Sequence, residues 1–230
     1  MPDRTGCGDQ HRSALEYTAA DETDAKKKSV IAKEQQRPDI AAARAQFFAE
    51  QLKDVPLADV VVLDESYATT AFTRLRGRCP RNRRLKESVP AGHWKTLTIL
   101  GAITVGGVLA AATIDAATDA EVFRAFIGQC LVPVLRPGMV VVMDNLSAHK
   151  VSGIREMIEG AGCHLVYLPP YSPDMSPIEN IWSKAKGVLR TLAARTVEQL
   201  HNAITQALNA ITPGDCKGCF DACGYSLHLR

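Results

Sequence analysis

The sequence predicts an α/β fold in which helices cover both faces of a mixed β-sheet. Three observations carry this expectation. Thr96 to Val105 and Val108 to Ile114 are apolar runs divided by Gly106-Gly107, a hairpin signal and so the mark of an antiparallel meander. From Asp119 onward helical and strand periodicities alternate, as β-α-β-α units do. Asp59 to Asp64 and Met139 to Asp144 are short, apolar and β-branched, the pattern of strands buried on both faces.

Taken in order, residues 1–37 are polar and aperiodic, carry Lys26-Lys27-Lys28, and read as a disordered or remnant segment. Residues 38–54 read as a linker helix, because Ile40, Ala43, Phe47, Phe48 and Leu52 recur at helical spacing. The main domain spans 55–225, with a tail at 226–230. Its first strand is Asp59 to Asp64, and a second is expected around Ala71 to Arg76. The hairpin follows, then a helix from Asp119 to Leu135, a strand from Met139 to Asp144, a helix from Val151 to Glu159 and a strand from His164 to Leu168. Pro169 to Ser176 is too rich in proline for either regular structure. It leads into helices at Pro177–Ala194 and Val197–Ile211. Right-handed crossovers allow the first strand to lie beside the later parallel ones, which would set Asp64 and Asp144 at one edge of the sheet.

A chain of 230 residues is long enough for one full core, and 46% hydrophobic with 23% charged residues is ordinary for a soluble protein. No apolar run nears the ~18 residues of a membrane span, and the polar first twenty residues lack a secretory core. Cytoplasmic residence and no membrane partner are expected. Seven cysteines are an odd, scattered set, so free thiols are expected. Cys216-x-x-Cys219 with Cys223 is incomplete as a zinc site, since His201 and His228 bracket it irregularly.

Net charge is only +2, yet Arg74, Arg76, Arg78, Arg81, Arg83, Arg84 and Lys86 place seven bases and no acid in thirteen residues. The remainder of the chain is therefore net acidic, and the basicity is concentrated as a phosphate-binding surface requires. A solvated loop is the plainer reading of the same run. His93-Trp94-Lys95 offers an aromatic face and a cation to a nucleic acid strand, or is simply a strand edge.

Asp64 and Asp144 each end a hydrophobic strand. Either alone is as well read as a turn or cap residue. Two carboxylates at one site repel unless a cation or shared proton compensates, and oxygen ligands suit Mg²⁺ or Mn²⁺. Ser176-Pro177-Ile178-Glu179 has the form of a capping box, which would account for Glu179 without chemistry. The same glutamate starts a helix near the sheet edge reached by Asp144, and at ~100° per residue Lys186 and Arg190 share its face. Ile178, Ile181, Ala185, Val188, Leu189 and Leu192 form the opposite, apolar stripe. Asn145 and His149 follow Asp144, placed either to orient a ligand or to lie on the surface.

Four stretches give the chain a family resemblance: Val62-Leu-Asp64-Glu-Ser66; Gly92-His-Trp-Lys95; Met143-Asp144-Asn-Leu-Ser-Ala-His149; and Leu168-Pro-Pro-Tyr-Ser-Pro-Asp-Met-Ser-Pro-Ile-Glu179-Asn-Ile-Trp182. Between Arg37 and Tyr225 the chain resembles the mariner-like DDE transposases of bacterial insertion sequences, and the 34 residues between Asp144 and Glu179 fit that group. The resemblance implies a ribonuclease-H-like, five-stranded mixed sheet and a DDE-type endonuclease. It implies that Asp64, Asp144 and Glu179 are catalytic ligands of two Mg²⁺ or Mn²⁺ ions. It further implies double-stranded DNA partners (transposon ends and a TA-containing target), a homo-oligomer on DNA and association with the nucleoid. Relatives of full length carry a helix-turn-helix region that residues 1–37 do not supply, so a helix-turn-helix partner product or a missing N-terminal domain is expected. Two other functions are open on the residues: a glycosidase built on two carboxylates, which the basic window disfavours, and a catalytically silent DNA-binding remnant that inhibits transposition.

Overall fold

The computed structural model describes residues 32–89, 92–116, 118–145 and 153–228. Five strands form the sheet: β1 (Val60–Thr69), β2 (Thr96–Thr104), β3 (Gly107–Ile114), β4 (Val140–Met143) and β5 (His164–Tyr167). Their spatial order is β3-β2-β1-β4-β5, antiparallel across β3-β2-β1 and parallel across β1-β4-β5. This is the predicted mixed sheet, with β1 at the junction of its two halves. The turn from β2 to β3 falls on Val105 and Gly106, one residue earlier than the expected Gly106-Gly107 pair, because Gly107 already opens β3. Gly107 has φ 130°, a backbone region closed to most side chains, and pairs with Thr104.

Alternation along the strands builds two cores. Val60, Val62, Ile99, Ile103, Val140 and Val142 face one; Val61, Leu63, Leu100, Ala102, Val141 and Met143 face the other. Strands β1 and β4 contribute to both, which is why their sequences are continuous apolar runs rather than alternating ones. The first core is closed by three helices, α4 (Pro177–Leu192), α5 (Val197–Asn209) and α6 (Pro213–Ala222), with the short α7 (Tyr225–His228) and with Phe47 and Leu52 from the π turn that follows α1 (Pro38–Gln46). The second core lies under α2 (Ala120–Phe126) and α3 (Ile154–Gly160). Each valine or leucine so buried contributes roughly 1.5–3 kcal/mol. No helix among the described residues is long and apolar enough to cross a membrane.

Several expectations are corrected. No strand forms at Ala71 to Arg76; residues 72–89 have no regular structure beyond a turn. The pairing capacity assigned to it belongs to β1 itself, which runs on to Thr69 against β2. The basic residues beyond offer no apolar face to bury. The helix expected over Asp119 to Leu135 is held as α-helix only to Phe126, then widens into a π turn at Ile127–Leu131 and tightens at Val132–Val134. Pro133, which lacks the amide donor, prevents regular continuation. Helix α4 stops at Leu192, where Ala193 takes a left-handed conformation (φ 48°). Leu192 itself is 40% exposed and so lies at the margin of the apolar stripe.

Candidate active site

Three elements converge at one cleft. The cleft has a volume of about 510 Å³, and its lining includes Asp64, Asp144, Asn145, Ser172, Ser176 and Glu179. Asp64 sits inside β1, not at its end. Parallel pairing of β1 with β4 stops at Val62↔Val142, while antiparallel pairing with β2 continues past Asp64. Asp64 thus projects where the two strands part, and Asp144 directly follows β4 at the same edge. Glu179 is supplied by the first turn of α4 and is exposed. The sheet edge and helix start therefore bring together the three carboxylates that the sequence singled out.

The capping-box account of Glu179 is overturned. Ser176 makes no side-chain cap bond. Its amide, which the glutamate would accept from, already donates to the Pro173 carbonyl at 3.1 Å, inside a tight turn at Pro173–Met175. A true capping box does form later, where Thr212 and Asp215 satisfy each other at the start of α6.

Electrostatics at the cleft are unfavourable to a bare anion. Burial pushes the Asp64 carboxyl up to about 7, and repulsion from Glu179 and Asp144 adds to the effect. The Glu65 amide and the Trp182 indole, which donates from Nε1 to Asp64 Oδ2 at 3.1 Å, work in the opposite direction. Asn145 Oδ1, also in the cleft wall, is buried with no hydrogen-bond partner. Hard oxygen donors, carboxylates that repel one another and an orphaned amide oxygen together fit a divalent cation such as Mg²⁺ or Mn²⁺. Among the described residues no three acidic, histidine or cysteine groups stand close enough to cage an ion as they lie. Mutual repulsion of the carboxylates opposes such convergence without a cation.

The proline-rich loop forming the cleft's outer wall is fastened from two sides. Arg44 of α1 donates to Ser172 Oγ at 2.7 Å and to both Asp174 oxygens, at 3.0 and 2.6 Å. Tyr225, fully buried, donates its hydroxyl to the Met175 carbonyl at 3.1 Å. Neither tie is legible in the sequence, because both partners are distant along the chain. Trp182 stands in the sequence only as the end of a motif, and no spacing rule indicates that its N–H meets Asp64.

The remaining predicted positions are more dispersed. Arg74, Arg76, Arg78, Arg81, Arg83, Arg84 and Lys86 are all exposed on the connection from β1 to β2, and none has an ion-pair partner among the described residues. His93, Trp94 and Lys95 are exposed where that connection enters β2, with Trp94 59% accessible. Lys186 and Arg190 do not stand free on α4. Lys186 Nζ lies 4.5 Å over the Tyr67 ring and the Arg190 guanidinium 5.2 Å over Phe72. Tyr67 and Phe72 were missed by sequence reasoning. His149 lies outside the described residues.

The six described cysteines, Cys79, Cys130, Cys163, Cys216, Cys219 and Cys223, are free thiols. Burial pushes Cys216 and Cys223 up to about 11, each with a further contribution from Cys219.

Comparison with known proteins places this architecture. The chain is similar to the transposable element Tc1 transposase of Caenorhabditis elegans, 28% identical over 100 residues, or 39% of this chain and 37% of that protein. It thus matches little more than a third of that relative's length. Its fold is similar to the mariner Mos1 paired end complex with Mg, with TM-score 0.70 and 13% identity over 91% of this chain and 68% of that one. The pre-cleavage Mos1 transpososome gives 0.66 and 13% over 88% and 68%. The Mos1 transposase catalytic domain solved with Raltegravir and Mn gives 0.56 and 13% over 85% and 98%. At such identities the likeness is one of fold, the ribonuclease-H-like sheet with flanking helices. The sequence profile described as DDE superfamily endonuclease covers residues 59–201, from the entry of β1 into α5. That span holds the whole sheet and all three cleft carboxylates over more than half of the sequence, and on it the chain belongs to the DDE superfamily of endonucleases.

Proposed function

We propose that this chain is the catalytic domain of a DNA transposase of the mariner-like bacterial insertion-sequence type, with Asp64, Asp144 and Glu179 as its metal-binding catalytic residues. The observation that carries the reading is their common cleft: three carboxylates from β1, the end of β4 and the start of α4 line its wall inside the family-matched span. Two Mg²⁺ or Mn²⁺ ions bound there would supply an activated oxygen nucleophile and charge to stabilise the leaving oxygen of an in-line displacement.

The chain's own residues do the rest. Asp64 within β1 and Asp144 just after β4 give two oxygen donors at one sheet edge, and Glu179 adds a third from the helix. Asn145 offers its unpartnered amide oxygen to a bound water or ion. The loop held by Arg44 and Tyr225 keeps the outer wall in place. The exposed basic window, His93-Trp94-Lys95, Lys186 and Arg190 would hold phosphates, so that the strand lies across the cleft rather than diffusing from it.

The partners that follow are transposon-end DNA and a TA-containing target. A second copy of the chain would hold the paired ends, and a helix-turn-helix reader, fused or separate, would select them. Strand cleavage of end-bearing DNA is the test. Nicking should require Mg²⁺ or Mn²⁺, and Asp64→Asn, Asp144→Asn or Glu179→Gln should each lower it by more than about 100-fold, the upper loss seen when groups merely supporting a metal ligand are removed. Full activity in any of the three would remove that residue from the site. No metal-dependent nicking by the unaltered chain with its reader present would favour a silent DNA-binding remnant.

A further inference from the structure

Asp64 of β1 and Gly101 of β2 are directly opposed in register, and their side-chain positions face the same core. That space is taken by Trp182, three residues after Glu179 on α4 and only 3% exposed. A Cβ on Gly101 would stand 2.6 Å from Trp182 Cη2 and 3.1 Å from Cζ2, so only glycine lets the six-membered ring come this close to β2. With the ring seated there, the indole Nε1 reaches Asp64 Oδ2 at 3.1 Å.

We infer that Trp182 is a positioning residue for Asp64, seated by the glycine slot at Gly101, and that it fixes the rotation of the carboxylate so that Oδ1 is presented to the cleft. The inference rests on the reading of Asp64 as a metal ligand. An indole has one donor and no acceptor. It can therefore orient a carboxylate without competing for a cation, unlike a lysine or arginine, whose charge would. Because Trp182 and Glu179 share the first turns of α4, docking that helix on Gly101 sets the third carboxylate and the orientation of the first in one event. Were the tryptophan only a core filler, its ring would matter and its N–H would not.

The test separates the two. The indole of Trp182 is replaced in the full chain by benzothiophene, which keeps the fused ring and lacks the N–H; Trp182→Phe and Gly101→Ala are made alongside. Mn²⁺ binding is measured by calorimetry, and the indole N–H resonance, assigned by its loss in Trp182→Phe, is followed by NMR. The benzothiophene protein should melt as cooperatively as the parent yet bind Mn²⁺ at least about tenfold more weakly, the usual loss for a group that orients a ligand. Gly101→Ala, with the donor intact but its seat filled, should show the same weakening. The Trp182 resonance should shift on Asp64→Ala without any metal. Unchanged Mn²⁺ affinity in the benzothiophene protein, where Asp64→Ala abolishes binding, would overturn the positioning role alone. Undiminished Mn²⁺ binding in Asp64→Ala would instead overturn the metal reading beneath it, while the resonance shift would still report whether the bond exists.

Discussion

Asp64 carries the tension of this molecule in a single side chain. Its carboxyl is raised from the usual carboxylate range to about 7, first by burial and then by Glu179 and Asp144. A group whose pKa is higher in the folded state than in the unfolded contributes stability that is full below the unfolded value and is lost as pH rises through the folded one. Metal-free protein should therefore lose stability from about pH 4 to beyond pH 7, and Asp64→Asn should gain on it across that window. Thermal melts of the pair at several pH values check this; a constant difference would contradict it. The cysteines give a second residue-scale expectation. Cys79 is exposed, whereas Cys216 and Cys223 are buried with thiols raised to about 11. Alkylation of the native protein at pH 8 should modify Cys79 and spare both until unfolding, because the thiolate is the reactive form. Peptide mapping that finds Cys216 modified as fast as Cys79 would refute it.

Elements were legible to different degrees, and for physical reasons. Strands β1 and β4 announce themselves because burial on both faces demands continuous valine and leucine. The hairpin is legible because Gly106-Gly107 meets a conformational need. Beyond Asp64 the polar sequence Glu65-Ser66-Tyr67 hides the fact that β1 continues, since strand length there is set by β2 rather than by local propensity. Glu179 was ambiguous for a similar reason. The Ser-x-x-Glu pattern is local, but the amide it needs is consumed by the preceding turn. As it caps nothing, Glu179→Ala should change stability by less than about 0.5 kcal/mol, the range of ordinary surface substitutions, while abolishing activity. A loss of ~1 kcal/mol in chemical denaturation would restore the cap. The basic connection between β1 and β2 makes its own prediction. Neutralising Arg81, Arg83 and Arg84 together should reduce the slope of log K against log salt by about 0.9 for each phosphate that is no longer neutralised; an unaltered slope would leave it a solvated loop.

For the whole molecule, the surfaces proposed to meet DNA are a metal cleft, a run of exposed bases and cations resting on aromatic rings, none of which reads sequence. The chain alone should bind transposon ends and scrambled duplexes within tenfold of each other, at Kd on the order of 10⁻⁴ to 10⁻⁶ M in physiological salt. A specific reader would improve on that by at least ~10³. Salt-controlled competition measures the ratio. Above all of these stands the proposed role of β1, β4 and α4, which is to hold divalent ions between Asp64, Asp144 and Glu179. Anomalous diffraction from crystals soaked in Mn²⁺ tests it most directly. Manganese peaks should contact all three carboxylates, with two peaks about 4 Å apart once a DNA strand is bound. An empty cleft at saturating Mn²⁺, or peaks that touch Asp64 and Asp144 but never Glu179, would contradict it.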